Sequence, residues 1–538
     1  MKKFSLALVV VMLISCVSCG KPQDVDSNQT DVSAEKQVLN CSWNDEPTSM
    51  DLMKYSGVVD LKLIWNLYEP LVRIEDGKVV SAGAKSWEIS EDGLTYTFLL
   101  QDNCWSDGKE VTASDYATML RRAADPATGF AYASDFYIIK NFEAVNTGGL
   151  DLGELGVVVE NEKTLIINLE YPSNTFLSSV EIYPERADFI EQCGDQYGYS
   201  PETMIFCGPY KMTNWTHNST IKLEKNETYW DQGNVRIDEV NLHIIPDEAT
   251  RLMSFQSREI DFVSVSDENY INEFRNNSDM YEEIAQSART YMFLFNCKDE
   301  LFKNIKVRQA FSLAINREEI SNSLDNGMTT PAYGLIPPTT AVGQFDYRNQ
   351  VEEPLKALSE STSDVKSLLC EGLQELGLST DPAEITITLS CPNDSASQEM
   401  AEYYKAMWEA NLGITIEIDM QEFATYRSLI WSDEYQIATT AWGGSIEPQF
   451  MLSRWFPDNQ SQWDNDEYTQ LVTLGAQTAD DQSRLDYYAA AEQMLITDCA
   501  VIAPIKYDGY LVFYYNYVQG NDNNPFSNVG FKCMHLEK

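Results

Sequence analysis

Several stretches of the chain alternate apolar and polar side chains, which is the pattern of half-buried strands. Residues 38–43 form the first such stretch, and residues 93–101 form one arm of a predicted hairpin. In that arm Tyr96, Phe98 and Leu100 share one face. We therefore expect both segments to be strands whose apolar face contacts a core.

Other stretches repeat apolar residues every three to four positions and predict amphipathic helices. The first predicted helix has its apolar face at Leu61, Ile64, Trp65 and Tyr68. A second predicted helix begins near Thr112 or Ser114, either of which can cap its first turn, and ends before Asp125-Pro126.

Residues 435–450 begin as a strand and break at Gly443-Gly444, directly after a tryptophan. Two glycines let the backbone bend sharply and let another group approach it closely. Ser445 and Glu447 follow within four residues. This composition is typical of a ligand-contacting turn, but a strand end beside a buried tryptophan has the same composition. The stretch alone leaves both interpretations open.

The N-terminus has the pattern of an export signal. Two lysines precede an apolar stretch, residues 4–14, that is too short to span a bilayer. We predict a lipoprotein signal peptide at residues 1–16 with Cys16 as the lipidated residue; Cys19 is the weaker alternative. Two acyl chains on one cysteine suffice for stable anchoring. The polar residues 17–36 are predicted to be a flexible tether.

Composition narrows the possible functions. The net charge of -45 argues against nucleic acid as a partner. The length predicts two or three domains. The three histidines, His217, His243 and His535, are far apart in sequence, which argues against a metal pair or a histidine-activated nucleophile. We therefore expect no enzyme activity and no cofactor. Nine scattered cysteines outside the signal are predicted to be mostly free, buried thiols.

Five ordered motifs lie between residues 105 and 317, and a strand at 385–391, a helix at 397–412 and a strand at 414–420 are predicted to form a β-α-β unit beyond them. The first, Trp-Ser-Asp-Gly-x-x-Val-Thr-Ala-x-Asp, resembles a signature of the oligopeptide/dipeptide-binding family, the family 5 extracytoplasmic solute-binding lipoproteins of ABC importers. The others are similar to that family's Gly-Pro-Tyr, Asn-x-x-Tyr-Trp, Gly-Glu-Ile-Asp and Asn-x-x-Val-Arg-x-Ala segments. The five lie at residues 105–115, 207–211, 226–230, 257–261 and 302–317.

The resemblance implies an α/β fold, a two-lobed periplasmic-binding-protein-like clamshell (type II, cluster C) with an extra sub-domain and an interlobe hinge. Ligand binding closes such a hinge. The chain would cross between the lobes near residues 288 and 503. The implied domains are a lobe 1 core sub-domain at 37–67, 186–287 and 504–538, an extra lobe 1 sub-domain at 68–185, and lobe 2 at 288–503.

The resemblance also implies a cleft that holds peptide ligands by their backbone, through main-chain hydrogen bonds and water-filled side-chain pockets. Two roles are open for Glu447. It could bind the amine of the ligand, or it could be a structural residue of the turn. The implied ligand-binding residues are Ser56, Val58, Tyr132, Phe423, Trp442, Gly443, Gly444, Ser445, Glu447 and Tyr507.

The chain departs from the family at both ligand ends. An aspartate that pairs with the ligand α-amino group is expected shortly after Trp442, but Ser445 stands there. Basic residues for the ligand carboxylate are also missing, since Thr439 and Ile430 occupy their places. An oligosaccharide or another non-peptide solute therefore remains an alternative ligand. The aromatic residues that would suit sugar stacking are Trp442, Phe423 and Trp463.

We predict a lipid-anchored, extracytoplasmic solute-binding protein that captures oligopeptide-like ligands and delivers them to a permease. Its partners would be a peptide or other small solute, ABC permease subunits with their ATPases, and the membrane through the lipid anchor only. We expect a monomer. A surface peptide sensor that signals through a partner is the rival from another functional class.

Overall fold

The protein was analysed as a computed structural model that describes residues 36–538 except 56–57, 76–77, 174, 433, 445 and 522–529. Residues 37–538 form one compact unit. Within the described part of the chain, no helix is both long and apolar enough to cross a membrane. Helices and strands alternate along this unit, so the fold is of the mixed α/β kind.

The strands are β1 Val38–Trp43, β2 Val72–Glu75, β3 Lys78–Ser81, β4 Ala84–Ile89, β5 Thr95–Leu100, β6 Val157–Asn161, β7 Thr164–Asn168, β8 Tyr210–Thr216, β9 Thr220–Lys225, β10 Glu239–Ile244, β11 Phe262–Val265, β12 Met280–Phe295, β13 Thr330–Pro331, β14 Ala341–Val342, β15 Phe345–Asp346, β16 Thr386–Pro392, β17 Thr415–Gln421, β18 Ile437–Gly443, β19 Ile502–Tyr515, β20 Val518–Gln519 and β21 His535–Leu536.

The α-helices are α1 Val58–Leu67, α2 Ala113–Ala124, α3 Phe142–Asn146, α4 Phe176–Ser179, α5 Ala187–Cys193, α6 Glu248–Gln256, α7 Glu268–Arg275, α8 Ile305–Leu313, α9 Arg317–Glu319, α10 Tyr347–Gln350, α11 Pro354–Ser361, α12 Val365–Glu375, α13 Ser395–Leu412, α14 Phe423–Leu429, α15 Pro448–Leu452, α16 Asp466–Gln477 and α17 Asp481–Gln493.

The first sheet has the strand order β1-β10-β9-β8. The predicted first strand is confirmed: β1 pairs in parallel with β10, and Leu39, Cys41 and Trp43 on one face are buried. This burial follows from the period of two in the sequence. Cys41, Cys207 and Cys391 are buried free thiols, but the other described cysteines are partly or fully exposed, so the prediction of mostly buried thiols is wrong.

The second sheet has the order β4-β5-β7-β6 and is covered by α2. The predicted hairpin arm is confirmed as β5, with Tyr96, Phe98 and Leu100 buried. Thr112, one of the two predicted caps, begins α2 through a capping box with Asp115. The first two sheets share one hydrophobic core, and we call this body the first lobe.

The third sheet has the order β11-β19-β12-β18-β16-β17 and belongs mainly to the second lobe. β16 and β17 run parallel, and the chain passes through α13 between them, which confirms the predicted β-α-β unit. In β12, Phe293 and Phe295 face one hydrophobic core, while Met292 and Leu294 face another. The sheet is therefore buried on both sides in this lobe.

Two long antiparallel strands, β12 and β19, connect the lobes. At one end Ala285 and Val512 belong to the core of the first lobe, whereas at the other end Phe293 and Ala503 belong to that of the second. The pairing register shifts between Gln286 and Thr290. Such an irregularity bends the strands locally. We propose it as the pivot near the crossing points expected from the sequence.

Candidate functional site

A cavity of ≈ 340 Å³ lies between the lobes and takes its lining from both. We call it the interlobe cavity. The second lobe provides the turn after β18 and the start of α15, whereas the first lobe provides α1 and the segments beside α4. The lining residues used below are Tyr55, Lys62, Trp65, Asp135, Glu181, Gly444 and Phe450.

The glycine turn forms the wall on the second lobe. β18 ends at Gly443, as the sequence predicts, and the Gly444 N–H donates a hydrogen bond to the Ala288 carbonyl on β12. A Cβ on Gly444 would lie 2.8 Å from that carbonyl oxygen, so this position requires glycine. Gly443 is exposed, and no described heavy atom lies within 4 Å of where its Cβ would be. A side chain at position 443 would therefore point into open space next to the cavity-lining Gly444.

Trp442 is held in place by polar and cationic contacts beside this turn. Its indole Nε1 donates to the Gln460 Oε1 at 3.2 Å. The Arg454 guanidinium lies over the Trp442 ring at 4.9 Å and over the Phe450 ring at 4.4 Å. These stacking contacts give the second-lobe wall a cation between two aromatic planes.

Aromatic side chains also form the wall on the first lobe. The rings of Tyr55 and Tyr132 stack with centroids 5.0 Å apart and planes 10° apart. The predicted ligand residue Tyr132 thus lies directly behind Tyr55, which lines the interlobe cavity. Helix α1 adds Lys62 and Trp65 to the same wall. Burial lowers the pKa of the Lys62 ammonium.

Two carboxylates line the interlobe cavity from the first lobe. Burial raises the pKa of Glu181, and hydrogen bonds from Tyr183 and Trp65 lower it in part. Burial also raises the pKa of Asp135, against the attraction of the Arg454 guanidinium on the second lobe. Both side chains remain accessible to solvent, so they lie in a concave space that water reaches.

The lobes also touch directly. The Thr175 hydroxyl donates to the Gln449 Oε1 at 3.2 Å, which joins the residue before α4 to α15. The cavity is therefore bounded on one side by a contact between the lobes. A rigid-body motion of the lobes would break this bond and open the cavity.

Other predicted site residues are not among those that line the interlobe cavity. Val58 begins α1, and Phe423 begins α14 with 61% of its side chain exposed. Tyr507 lines a separate cavity of ≈ 580 Å³ in the second lobe. Its hydroxyl oxygen lies 2.8 Å from the Glu353 Oε1 and 3.0 Å from the Gly334 carbonyl oxygen, and it can donate its one hydrogen to either. Ligand roles for these three residues stay predictions. Ser56, Ser445 and Cys16 lie outside the described residues.

Glu447 is a buried residue of the second lobe. It precedes α15, is 7% exposed, and its Oε2 lies 2.6 Å from the Arg484 Nη2. Arg484 is itself 2% exposed. A buried carboxylate that is paired with a buried guanidinium is costly to separate from it. Of the two roles open for Glu447, this geometry favours the structural one.

The sequence analysis did not single out Asp135, Glu181 or Arg454. The chain contains 83 acidic residues, so no carboxylate stands out by its type or spacing. A signal exists only in the fold, which brings Asp135 and Glu181 to one wall and Arg454 to the other. Among the described residues, no group of three His, Cys, Asp or Glu side chains could hold a metal ion.

Comparison with known proteins agrees with this architecture. Residues 78–463 match the family model described as bacterial extracellular solute-binding proteins, family 5 Middle. The chain is 29% identical to the oligopeptide-binding protein OppA of Bacillus subtilis, over 94% of this chain and 93% of that protein.

Two solved structures are also similar. One is the substrate-binding domain of an oligopeptide ABC transporter of Bacillus anthracis, with a TM-score of 0.73, 28% identity and coverage of 94% of this chain and 99% of that one. The other is Listeria monocytogenes OppA bound to peptide, with a TM-score of 0.72, 26% identity and coverage of 94% and 100%. They confirm the two-lobed clamshell.

The family model covers well over half of the chain, and the motifs, the fold and the interlobe cavity are all consistent with it. Proteins of this kind bind solutes for ABC importers and catalyse no reaction, which confirms the prediction that the chain is not an enzyme. The chain belongs to the family 5 bacterial extracellular solute-binding proteins.

Proposed function

We propose that this protein captures oligopeptide-like ligands in the interlobe cavity and delivers them to the permease of an ABC importer. The observation that carries the proposal is a cavity lined by both lobes, with Gly444 in its lining and the exposed Gly443 next to it. A peptide strand can approach a glycine without meeting a side chain. Main-chain hydrogen bonds then supply affinity that does not depend on the ligand's sequence.

The similarity to peptide-binding proteins supports this ligand class. Bacillus subtilis OppA is named for oligopeptide binding, and Listeria monocytogenes OppA was solved with a peptide bound. Lobes that close on a ligand present a different surface to a partner than open lobes do. A permease can therefore distinguish the loaded protein from the empty one. The ATPases that drive transport would belong to other chains.

A thermal unfolding screen tests the ligand class. Purified protein is expected to unfold at a higher temperature with peptide pools, because a ligand that binds the folded state raises its stability. At 100 times the dissociation constant the gain is about 2.7 kcal/mol. A shift with an oligosaccharide, alongside none with di- to decapeptides, would overturn the peptide assignment.

We also propose that the protein is held on the outer face of the cell membrane by lipid on Cys16. The supporting observation is the short apolar segment that ends in Leu-Ile-Ser-Cys at residues 13–16. The polar residues 17–36 would then separate the anchor from the compact unit that begins at Gln37. The long acidic surface would keep the binding unit away from anionic lipid.

Labelling with a fatty-acid analogue tests the anchor. Cys16→Ser is expected to abolish incorporation and to release the protein from the membrane fraction, because the acyl chains supply the membrane affinity. Cys19→Ser, three residues away, is the matched control and is expected to remain labelled. Labelling that is lost in Cys19→Ser and retained in Cys16→Ser would assign the lipid to the other cysteine.

A further inference from the structure

The two walls of the interlobe cavity differ in charge. The second lobe contributes Arg454, which lies beside the cavity over the Phe450 ring, and the turn residue Ser445 has a hydroxyl rather than a carboxylate. A hydroxyl can accept a hydrogen bond from an ammonium group but cannot neutralise it. The lining acids Asp135 and Glu181 lie on the first lobe. Among the described lining residues, the carboxylates that could compensate a ligand cation therefore lie on that wall.

Asp135 and Glu181 line the interlobe cavity together with the aromatic ring of Tyr55. Burial raises the pKa of the Tyr55 hydroxyl, and the charges of both carboxylates add to this effect. Tyr55 itself stacks on Tyr132. The fold therefore brings both acids to the lining of one cavity, although they are 46 residues apart in the sequence. An ammonium group bound in this cavity would be attracted by both carboxylates and by the face of the ring.

Neither carboxylate is neutralised by its closest neighbours. Glu181 accepts a hydrogen bond of 2.9 Å from the Tyr183 hydroxyl, which is a neutral donor, and the Arg73 guanidinium that also attracts it is paired with Glu69 at 2.5 Å. The cation nearest to Asp135 is Arg454, whose guanidinium is stacked over Trp442 and Phe450 on the opposite lobe. A cationic ligand that binds between the lobes would supply a counter-charge to both carboxylates.

Lys62 is a cation of the cavity lining, but it does not remove the preference of the cavity for a cationic ligand. Its ammonium lies over the Trp43 ring at 5.7 Å, and burial lowers its pKa. With Asp135 and Glu181 ionised, the two acids outnumber this lysine. The cavity of ≈ 340 Å³ is also large enough for the end of a peptide.

We propose that Asp135 and Glu181 together form the subsite for a ligand ammonium group in the interlobe cavity, an inference that rests on the proposed capture of peptides. The group is either the terminal amine of a peptide or the side-chain amine of a lysine in it. The subsite places charge recognition on the first lobe, whereas the second lobe contributes Gly444 and Phe450 to the lining. The second lobe then covers the ligand as the lobes close.

Calorimetric titration with three peptides tests the subsite: tetra-alanine with a free amino terminus, its N-acetyl form, and N-acetyl-Lys-Ala-Ala-Ala. The wild type is expected to bind one of the two cationic peptides at least 10-fold more tightly than acetyl-tetra-alanine, because charge-assisted hydrogen bonds stabilise the bound cation. The cationic peptide that binds more tightly identifies the source of the ammonium group.

The double variant Asp135→Asn, Glu181→Gln is expected to lose this preference and to bind acetyl-tetra-alanine within about 2-fold of the wild type. Glu160→Gln, an exposed acid on β6, is the matched control and should retain the preference. Unfolding without ligand checks that the variants fold.

A preference that persists in the double variant, or a wild type that binds all three peptides equally, would overturn the subsite alone. A wild type that binds none of them, nor any peptide pool, would overturn the proposed function as well.

Discussion

Replacing Gly443 by valine is expected to weaken peptide binding about 100-fold, equivalent to about 2.7 kcal/mol, while the unliganded protein keeps its stability. A side chain at this exposed position meets no described atom within 4 Å. Valine also suits a strand end, because β-branched residues favour extended backbone. The new methyl groups would instead occupy the space that a ligand backbone needs. The loss of affinity would therefore come from a clash with ligand and not from misfolding.

Titration with a peptide ligand, together with urea unfolding of the free protein, separates these two effects. Gly444→Ala is the matched control one residue on. Its Cβ would lie 2.8 Å from the Ala288 carbonyl oxygen and 3.0 Å from the Met451 sulfur, so this variant should lose stability. If Gly443→Val binds peptide as tightly as the wild type does, the ligand backbone does not approach the turn and the proposed binding mode is wrong.

Replacing Glu492 by alanine is expected to lower the free energy of unfolding of the second lobe by about 3–5 kcal/mol, the usual cost of breaking a buried charge pair. Glu492 has no exposed surface. Its Oε1 accepts the N–H groups of Leu335 at 2.8 Å and Ile336 at 2.9 Å. Arg348 and the Tyr347 hydroxyl also donate to this carboxylate. Alanine would leave all four donors without their acceptor.

Urea unfolding followed by tryptophan fluorescence measures this loss. Asp486→Ala, an exposed acid on the same helix α17, is the matched control and should stay within about 0.5 kcal/mol of the wild type. If Glu492→Ala unfolds within about 1 kcal/mol of the wild type, the network does not stabilise the lobe as its geometry indicates. Limited proteolysis would show whether the loss is confined to the second lobe.

The assignment of charge to the two cavity walls bears on the choice of ligand. The turn after Trp442 offers backbone and aromatic surface, while Asp135 and Glu181 on the first lobe offer charge. An oligosaccharide has no cation to satisfy these acids. A peptide with a free amine does have one, and it also supplies the main-chain groups that an exposed glycine can meet. The cavity therefore favours a peptide among the ligands left open by the sequence.

The local pattern of apolar residues and glycines correctly predicted several strands and strand ends. The strand at Val38–Trp43, the strand at Thr95–Leu100 and the end of β18 at Gly443 all occur where the apolar pattern or the glycines put them. A period of two places the apolar residues on one face of the strand, and folding buries that face against a core. Ordered motifs likewise sufficed for the family, since the matched segment spans residues 78–463.

The composition of the site needed contacts that are distant in sequence. Glu447 followed a plausible ligand turn, yet its carboxylate pairs with Arg484 inside the second lobe. The family resemblance implies a ligand role for Tyr507, and its side chain lines a separate cavity of the second lobe. Sequence spacing cannot distinguish a carboxylate that faces a ligand from one that faces a buried arginine, because both follow the same turn.

The sequence by itself determined the family of the protein and the location of the glycine turn, because these depend on local composition and on ordered motifs. The tertiary structure alone decided which charges meet in the cavity. Asp135, Glu181 and Arg454 are separated by up to 319 residues and become neighbours only when the two lobes face each other. Electrostatic partners depend on distance in space, and the folded chain sets that distance.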